Sequence, residues 1–274
     1  MSEPQTPTLF DVRPLFQPDR QALSTLLGSL TSQDWTASTA CPGWDVRDVA
    51  LHILGGDLAN IATRRDGSQP LQPLPGESLG TFINRINQEW VASARRLSPR
   101  LIGELLQFAG PPLFEHLDSL DLEALGSPVS WAGPEPAPVW LDLAREYMER
   151  WVHQQHIRDA VGHSGHDEPR FVAPVIAASM HAVPLAMPPD RSGTLVIEVG
   201  GEAGGVWTAT SNSKPWSLRV GRARSADCVL SLPADVWWRV VTLGMRPVDA
   251  VLRARVDGDS GLARAALQAV AIIA

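Results

Sequence analysis

The sequence lacks most of the features that would assign it at once to a class. No run of about 18 apolar residues occurs anywhere, and the first 18 residues carry Pro4, Pro7, Pro14 and Pro18 where a signal peptide needs an apolar core. The chain is therefore expected neither to span a membrane nor to be exported by that route. Cysteine is limited to Cys41 and Cys228, too few to staple 274 residues, and no C-x-x-C pair exists. A reducing cytoplasm is the expected location, and Cys41, just ahead of Pro42, reads as a small packed side chain rather than a reactive thiol. Basic residues form no stripe: 23 Lys and Arg lie scattered among 30 Asp and Glu, so nothing offers a track for nucleic-acid phosphates. Solenoid-period repeats and low-complexity tracts are absent as well.

What is present is ordinary globular composition, 44% hydrophobic and 19% charged, which is enough apolar material to fold. Apolar residues recur at three- and four-residue spacing over residues 19–31, 45–65, 77–97, 99–119 and 137–162, and each stretch is predicted to be a helix. Proline clusters at 69–76 and 126–138 read as connections. A polar stretch at 163–170 reads as a linker and sets a domain boundary near residue 168, giving domains 1–168 and 169–274. Beyond a helix at 172–187, strand-like runs at 194–200, 206–211, 216–220 and 227–231 predict an antiparallel meander. Helical spacing returns at 234–243 and 261–273 around an extended piece at 254–257, so the second domain reads as α+β.

Two segments carry chemistry. In Cys41-Pro-Gly-Trp-Asp-Val-Arg-Asp-Val-Ala-Leu-His52, a turn becomes a helix with Asp45 as N-cap and Asp48 three residues on, an acidic capping box. His52 falls at the edge of that helix's apolar arc beside Gly55 and Gly56, where open space is expected, and Asp57 falls inside the arc, placed to orient a ligand. In Arg145-Glu-Tyr-Met-Glu149-Arg-Trp-Val-His153-Gln-Gln-His156, Glu149, His153 and His156 share one helical face. Residues four apart have Cβ atoms roughly 5–6 Å apart, so Glu149 and His153 make a workable two-ligand clip, with His52 supplying a third ligand from a facing helix. Spacing alone equally allows a hydrogen-bonded structural histidine and a solvated Glu149, because no motif as specific as H-E-x-x-H is present.

These same stretches, Trp35 through Cys-Pro-Gly-Trp-Asp-Val-Arg-Asp-Val to His52 and the run from Arg145 to Gly162, closely resemble the mycothiol-dependent maleylpyruvate isomerase family. The resemblance implies an N-terminal all-α, DinB-like four-helix bundle that binds metal, followed by an α+β, sterol-carrier-like C-terminal domain with an antiparallel sheet. It places the family's metal ligands on His52, Glu149 and His153. His156 departs from the acidic or amide residue that relatives often carry, which leaves it beside the ligands or as a fourth one.

The implied cofactors are a divalent metal and a low-molecular-weight thiol such as mycothiol or bacillithiol. Zinc is the default metal, although two histidines and a carboxylate also suit iron or nickel. The implied activity is thiol-dependent transfer or cis-trans isomerisation of a small electrophile. A substrate carboxylate would need a cation, for which Arg246 is the nearest match, with Arg222 and Arg224 as rivals. Trp35, Trp44 and Trp151 stand either in the pocket or in the core. Two other classes stay open from sequence: a carrier or sensor of an apolar ligand with a structural metal, and a metal-dependent hydrolase.

Overall fold

The computed structural model describes residues 4–7, 9–212 and 215–271. The chain forms helices α1 (Arg13–Ser29), α2 (Val46–Asn60), α3 (Leu79–Ala94) and α4 (Pro99–Asp118), strands β1 (Leu125–Pro128) and β2 (Pro136–Pro138), and the long helix α5 (Val139–Val161). Helices α6 (Pro169–Ser179) and α7 (Val183–Ala186) follow, then β3 (Gly193–Gly200), β4 (Gly205–Ser211), β5 (Ser217–Val220) and β6 (Cys228–Pro233). The chain continues through α8 (Ala234–Val241), α9 (Pro247–Arg253), β7 (Arg255–Gly258) and α10 (Ser260–Ala266). No helix among the described residues is long and apolar enough to cross a membrane.

Two compact units result. Among the described residues, one comprises Val12–Asp121 and Glu149–His166; the other gathers Leu122–Met148 and those of 167–271, with those of 4–11. In the helical unit α4 packs against both α1 and α2, and α2 also packs against α3. Leu23, Leu26 and Leu27 of α1, Val49, Leu51 and Leu54 of α2, and Ile102 and Leu106 of α4 meet in a core that excludes water almost completely. Local chemistry sets the helix starts. Asp45 accepts from the Asp48 amide at 2.9 Å while Asp48 accepts from the Asp45 amide at 3.2 Å, the reciprocal box the sequence predicts. Ser78 and Ser98 cap α3 and α4.

Helix α1 starts six residues ahead of the expected position. Pro14 lies in the first turn, where a missing N–H needs no partner, and Pro18 removes one bond near the helix start, so neither proline prevents the helix. The open space expected beside His52 is also partly filled. A Cβ on Gly55 would come within 2.5 Å of the Trp90 indole, whose Nε1 donates to the Leu51 carbonyl at 2.7 Å. Gly55→Ala is therefore expected to displace that indole and to destabilise the helical unit by about 1–3 kcal/mol, readable as a lower urea midpoint, whereas Gly56→Ala, inside the same helix with nothing within 4 Å, should stabilise it by about 0.5–1 kcal/mol.

In the other unit the strand order is β5-β4-β3-β6-β7. Strands β3, β4 and β5 form the antiparallel meander the spacing predicts, but β6 runs parallel to β3, with Leu195 opposite Cys228 and Val199 opposite Leu232, and β7 pairs antiparallel to β6. The sheet is thus mixed rather than antiparallel, because the chain after β5 passes to the far side of β3. Leu195, Val196 and Ile197 are all fully buried, so both faces of this central strand are covered. Helix α8 packs on β3 and β6 and on α6, where the buried Trp237 indole donates to Ser179 Oγ at 2.9 Å.

Three further differences have local causes. The helix expected over 172–187 begins at Pro169 and breaks into α6, a tight turn at Met180–Ala182, and α7, which carries Pro184 near its start. Within the proline-rich stretch expected to be a plain connection, β1 and β2 pair as a two-stranded ribbon; both strands are edges there, so prolines that donate no N–H are tolerated. Helix α10 ends at Ala266, and part of the helix expected over 261–273 falls outside the described residues.

Candidate metal centre

The helix carrying His52 is launched by a turn that its sequence dictates. Cys41-Pro42-Gly43-Trp44 closes with the Trp44 amide donating to the Cys41 carbonyl at 3.1 Å, and Gly43 sits at φ +77°, the type II turn that favours proline second and glycine third. Thr39 Oγ1 accepts from the Cys41 amide at 3.1 Å and donates to the Trp44 carbonyl at 2.9 Å, which locks the turn internally. The Trp44 indole donates to Gln88 Oε1 at 2.9 Å, and its ring lies 5.1 Å from that of His52.

Helix α5 brings the other side chains, and its rotation about its own axis is fixed by buried polar partners. Arg150 donates to Asp57 Oδ1 through Nε at 3.1 Å and Nη2 at 2.9 Å. Gln154 Nε2 donates to Asp19 Oδ1 at 3.0 Å, and the same carboxylate oxygen lies 2.7 Å from His166 Nε2. The His166 carbonyl accepts from the Trp151 indole at 3.0 Å and from Gln155 Nε2 at 3.1 Å. The polar stretch read as a linker is therefore pinned to α5 through His166, which takes up a φ of 61°.

Within this frame the three predicted ligands come together. Donor atoms of His52, Glu149 and His153 all lie within 4.8 Å of one another. His153 Nε2 stands 3.4 Å from Glu149 Oε2, and the His52 and His153 rings meet edge to face with centroids 4.6 Å apart. His153 is buried, whereas His52 and Glu149 are partly exposed, so one side of the cluster faces solvent. Burial, with the Arg150 guanidinium as a smaller contribution, pushes His153 down to about 4, which keeps the imidazole neutral and one ring nitrogen lone pair available at pH 7.

The structure adds a residue that sequence reading placed elsewhere. Cys41 Sγ lies 3.2 Å from His156 Nδ1 and 3.8 Å from His153 Nδ1, and donor atoms of these three residues also fall within 4.8 Å of one another. Burial is the main cause that pushes the Cys41 thiol up to about 11. The signal that could have found it is the turn itself: a type II turn immediately before a capped helix returns Cys41 toward that helix's first turns.

Other candidates take different places. Asp57 is fully buried and holds Arg20 and Arg150, so it meets the residue beside Glu149 on α5. Trp35 and Trp151 are buried in the core, and Trp44 flanks His52. Arg246 is exposed and pairs with Asp249 at 2.7 and 3.0 Å, which raises its pKa; Arg222 pairs with Glu198, and Arg224 is exposed.

Comparison with known proteins agrees with the architecture. A crystal structure of the mycothiol-dependent maleylpyruvate isomerase matches with a TM-score of 0.54 at 13% identity, covering 84% of this chain and 87% of that one. The structure of a histidine-to-alanine mutant of that isomerase matches over the same shares at 0.51, also with 13% identity. Sterol Carrier Protein 2 Like 2 from Aedes aegypti covers 36% of this chain and 96% of its own, at 16% identity and a TM-score of 0.31. No curated protein matches the sequence. The sequence family described as the mycothiol maleylpyruvate isomerase N-terminal domain matches residues 16–158, over half of the chain, and to that family this chain belongs.

Proposed function

We propose that the chain is a metal-dependent enzyme that uses a low-molecular-weight thiol, mycothiol or a chemical equivalent, to isomerise or to thiolate a small electrophile. The observation that carries the reading is the convergence of His52, Glu149 and His153 from two helices in a chain of this family. The activity of the isomerase whose structures match supports the same direction. We keep residues 1–168 and 169–274 as the proposed domains.

The donor set fits a divalent cation. In a tetrahedral zinc site with Zn–N near 2.0 Å and Zn–O near 2.1 Å, neighbouring donors stand roughly 3.3–3.4 Å apart. His153 Nε2 and Glu149 Oε2 are 3.4 Å apart. His52, Glu149 and His153 would hold the ion, and iron or nickel would accept the same set. A cation there favours thiolate over thiol and so supplies nucleophile at neutral pH.

The chain's own residues do the rest. Glu149 offsets one unit of the cation's charge, while neutral His153 adds none. Trp44 covers one flank of His52 and limits water on that side. Burial pushes the Cys41 thiol up to about 11 in the metal-free chain, and we assign the attacking sulfur to the small thiol. A carboxylate on the electrophile would be met by a cation, and Arg246 is the residue we assign to it, once substrate displaces Asp249.

Cobalt substitution tests the reading. Adding mycothiol to the cobalt-loaded chain should change the visible d–d bands, and the same protein should turn over a cis-enoyl carboxylate only when the thiol is present. Unchanged bands together with thiol-independent turnover would overturn the thiol-dependent reading.

A further inference from the structure

We propose that Cys41, His153 and His156 form a second seat for a cation, a thiophilic one, next to the seat of His52 and Glu149. Sγ of Cys41 stands 3.2 Å from His156 Nδ1 and 3.8 Å from His153 Nδ1. Those values bracket the roughly 3.5 Å that separates sulfur and nitrogen donors around a tetrahedral zinc, with Zn–S about 2.3 Å and Zn–N about 2.0 Å. The position is built rather than incidental. His153 and His156 are 6% and 4% exposed, both from α5, and Cys41 is delivered by the internally locked type II turn.

The two seats differ in chemistry. One thiolate and two imidazoles select zinc, cadmium or copper(I), whereas two imidazoles and a carboxylate also suit harder ions. Occupation replaces the Cys41 thiol proton by a cation–sulfur bond, and the proton leaves to buffer. His153 faces Glu149 with Nε2 and Cys41 with Nδ1. A neutral imidazole offers a single lone pair to metal, so the two seats compete for His153. A thiophilic ion drawn to Cys41 and His156 would thus withdraw a ligand from the first seat, which gives the chain a sensitivity to such ions that a set without Cys41 would lack.

The test uses cadmium, whose bond to thiolate gives a near-ultraviolet charge-transfer absorption. In the full-length chain carrying His52→Ala and Glu149→Gln, which removes the first seat, about one cadmium per chain should bind with that absorption, and adding Cys41→Ser should abolish both. Cys228→Ser should leave the absorption in place, since the only other thiol lies in the other unit. Should the double variant fail to fold by circular dichroism, the absorption alone is compared in the otherwise unaltered chain and in Cys41→Ser, where it should appear and then vanish, because the intact first seat also takes cadmium. Absorption that survives Cys41→Ser, or cadmium bound without it, overturns the second seat. Either result leaves the reading of His52, Glu149 and His153 standing, because that reading is tested by cobalt and mycothiol instead.

Discussion

Replacing His153 by alanine is expected to strip the divalent metal from the purified protein and to lower thiol-dependent turnover by more than ~100-fold, the upper range for loss of a residue that merely supports a ligand. His153 is the most buried of the three proposed ligands and stands between the other two, 3.4 Å from Glu149 and in edge-to-face contact with His52. Its removal leaves one histidine and one carboxylate on different helices, without a chelating pair. Metal content by elemental analysis and affinity by competition with a chromophoric chelator measure the outcome. Circular dichroism of the metal-free variant separates ligand loss from unfolding. Glu149→Gln serves as the graded control, since an amide oxygen keeps the shape and loses the charge. Stoichiometric metal held by His153→Ala at unchanged affinity would sink the proposed centre.

How much of this was legible in the sequence depends on the range over which each signal acts. The capping box of Asp45 and Asp48, the turn of Pro42 and Gly43 and the spacing of Glu149 and His153 are local, and residues a few positions apart suffice to read them. The meeting of His52 with α5 is not local: helix spacing offers it as one arrangement beside a structural histidine and a solvated Glu149, and the resemblance to a family is what favours it. The parallel pairing of β6 with β3 stayed hidden because alternation reveals which face a residue takes and says nothing about which strand lies beside it. Cys41 was hidden for a related reason: its neighbours in chain are turn residues, while its chemical partners lie 112 and 115 positions away. The partners of Asp57 were hidden as well: a carboxylate on an apolar arc demands a partner, and sequence does not say that the partner is a pair of arginines.

That pair makes Asp57→Ala the largest expected loss of stability in the helical unit, about 3–5 kcal/mol. Asp57 is fully buried; Oδ1 accepts from Arg150 and Oδ2 from Arg20, whose side chains are 7% and 8% exposed. The guanidiniums also lie over the Phe16 and Phe114 rings at 5.7 and 5.6 Å, contacts worth far less than a carboxylate between two cations. Without Asp57 two buried guanidiniums lose the carboxylate they share, so the urea midpoint of the helical unit should fall steeply. A shift below about 1 kcal/mol would mean that water or another acceptor reaches the arginines. The triple replacement Arg20→Met, Asp57→Leu, Arg150→Met removes every charge at once and should recover most of the loss, because an apolar cluster carries no desolvation cost. Metal affinity then separates stability from positioning. Arg150 is the residue between Glu149 and the Trp151 anchor, and its ion pair with Asp57 helps set the rotation of α5. A triple variant as stable as the parent but with weaker metal binding would assign the buried pair the task of aiming Glu149 and His153 at one point.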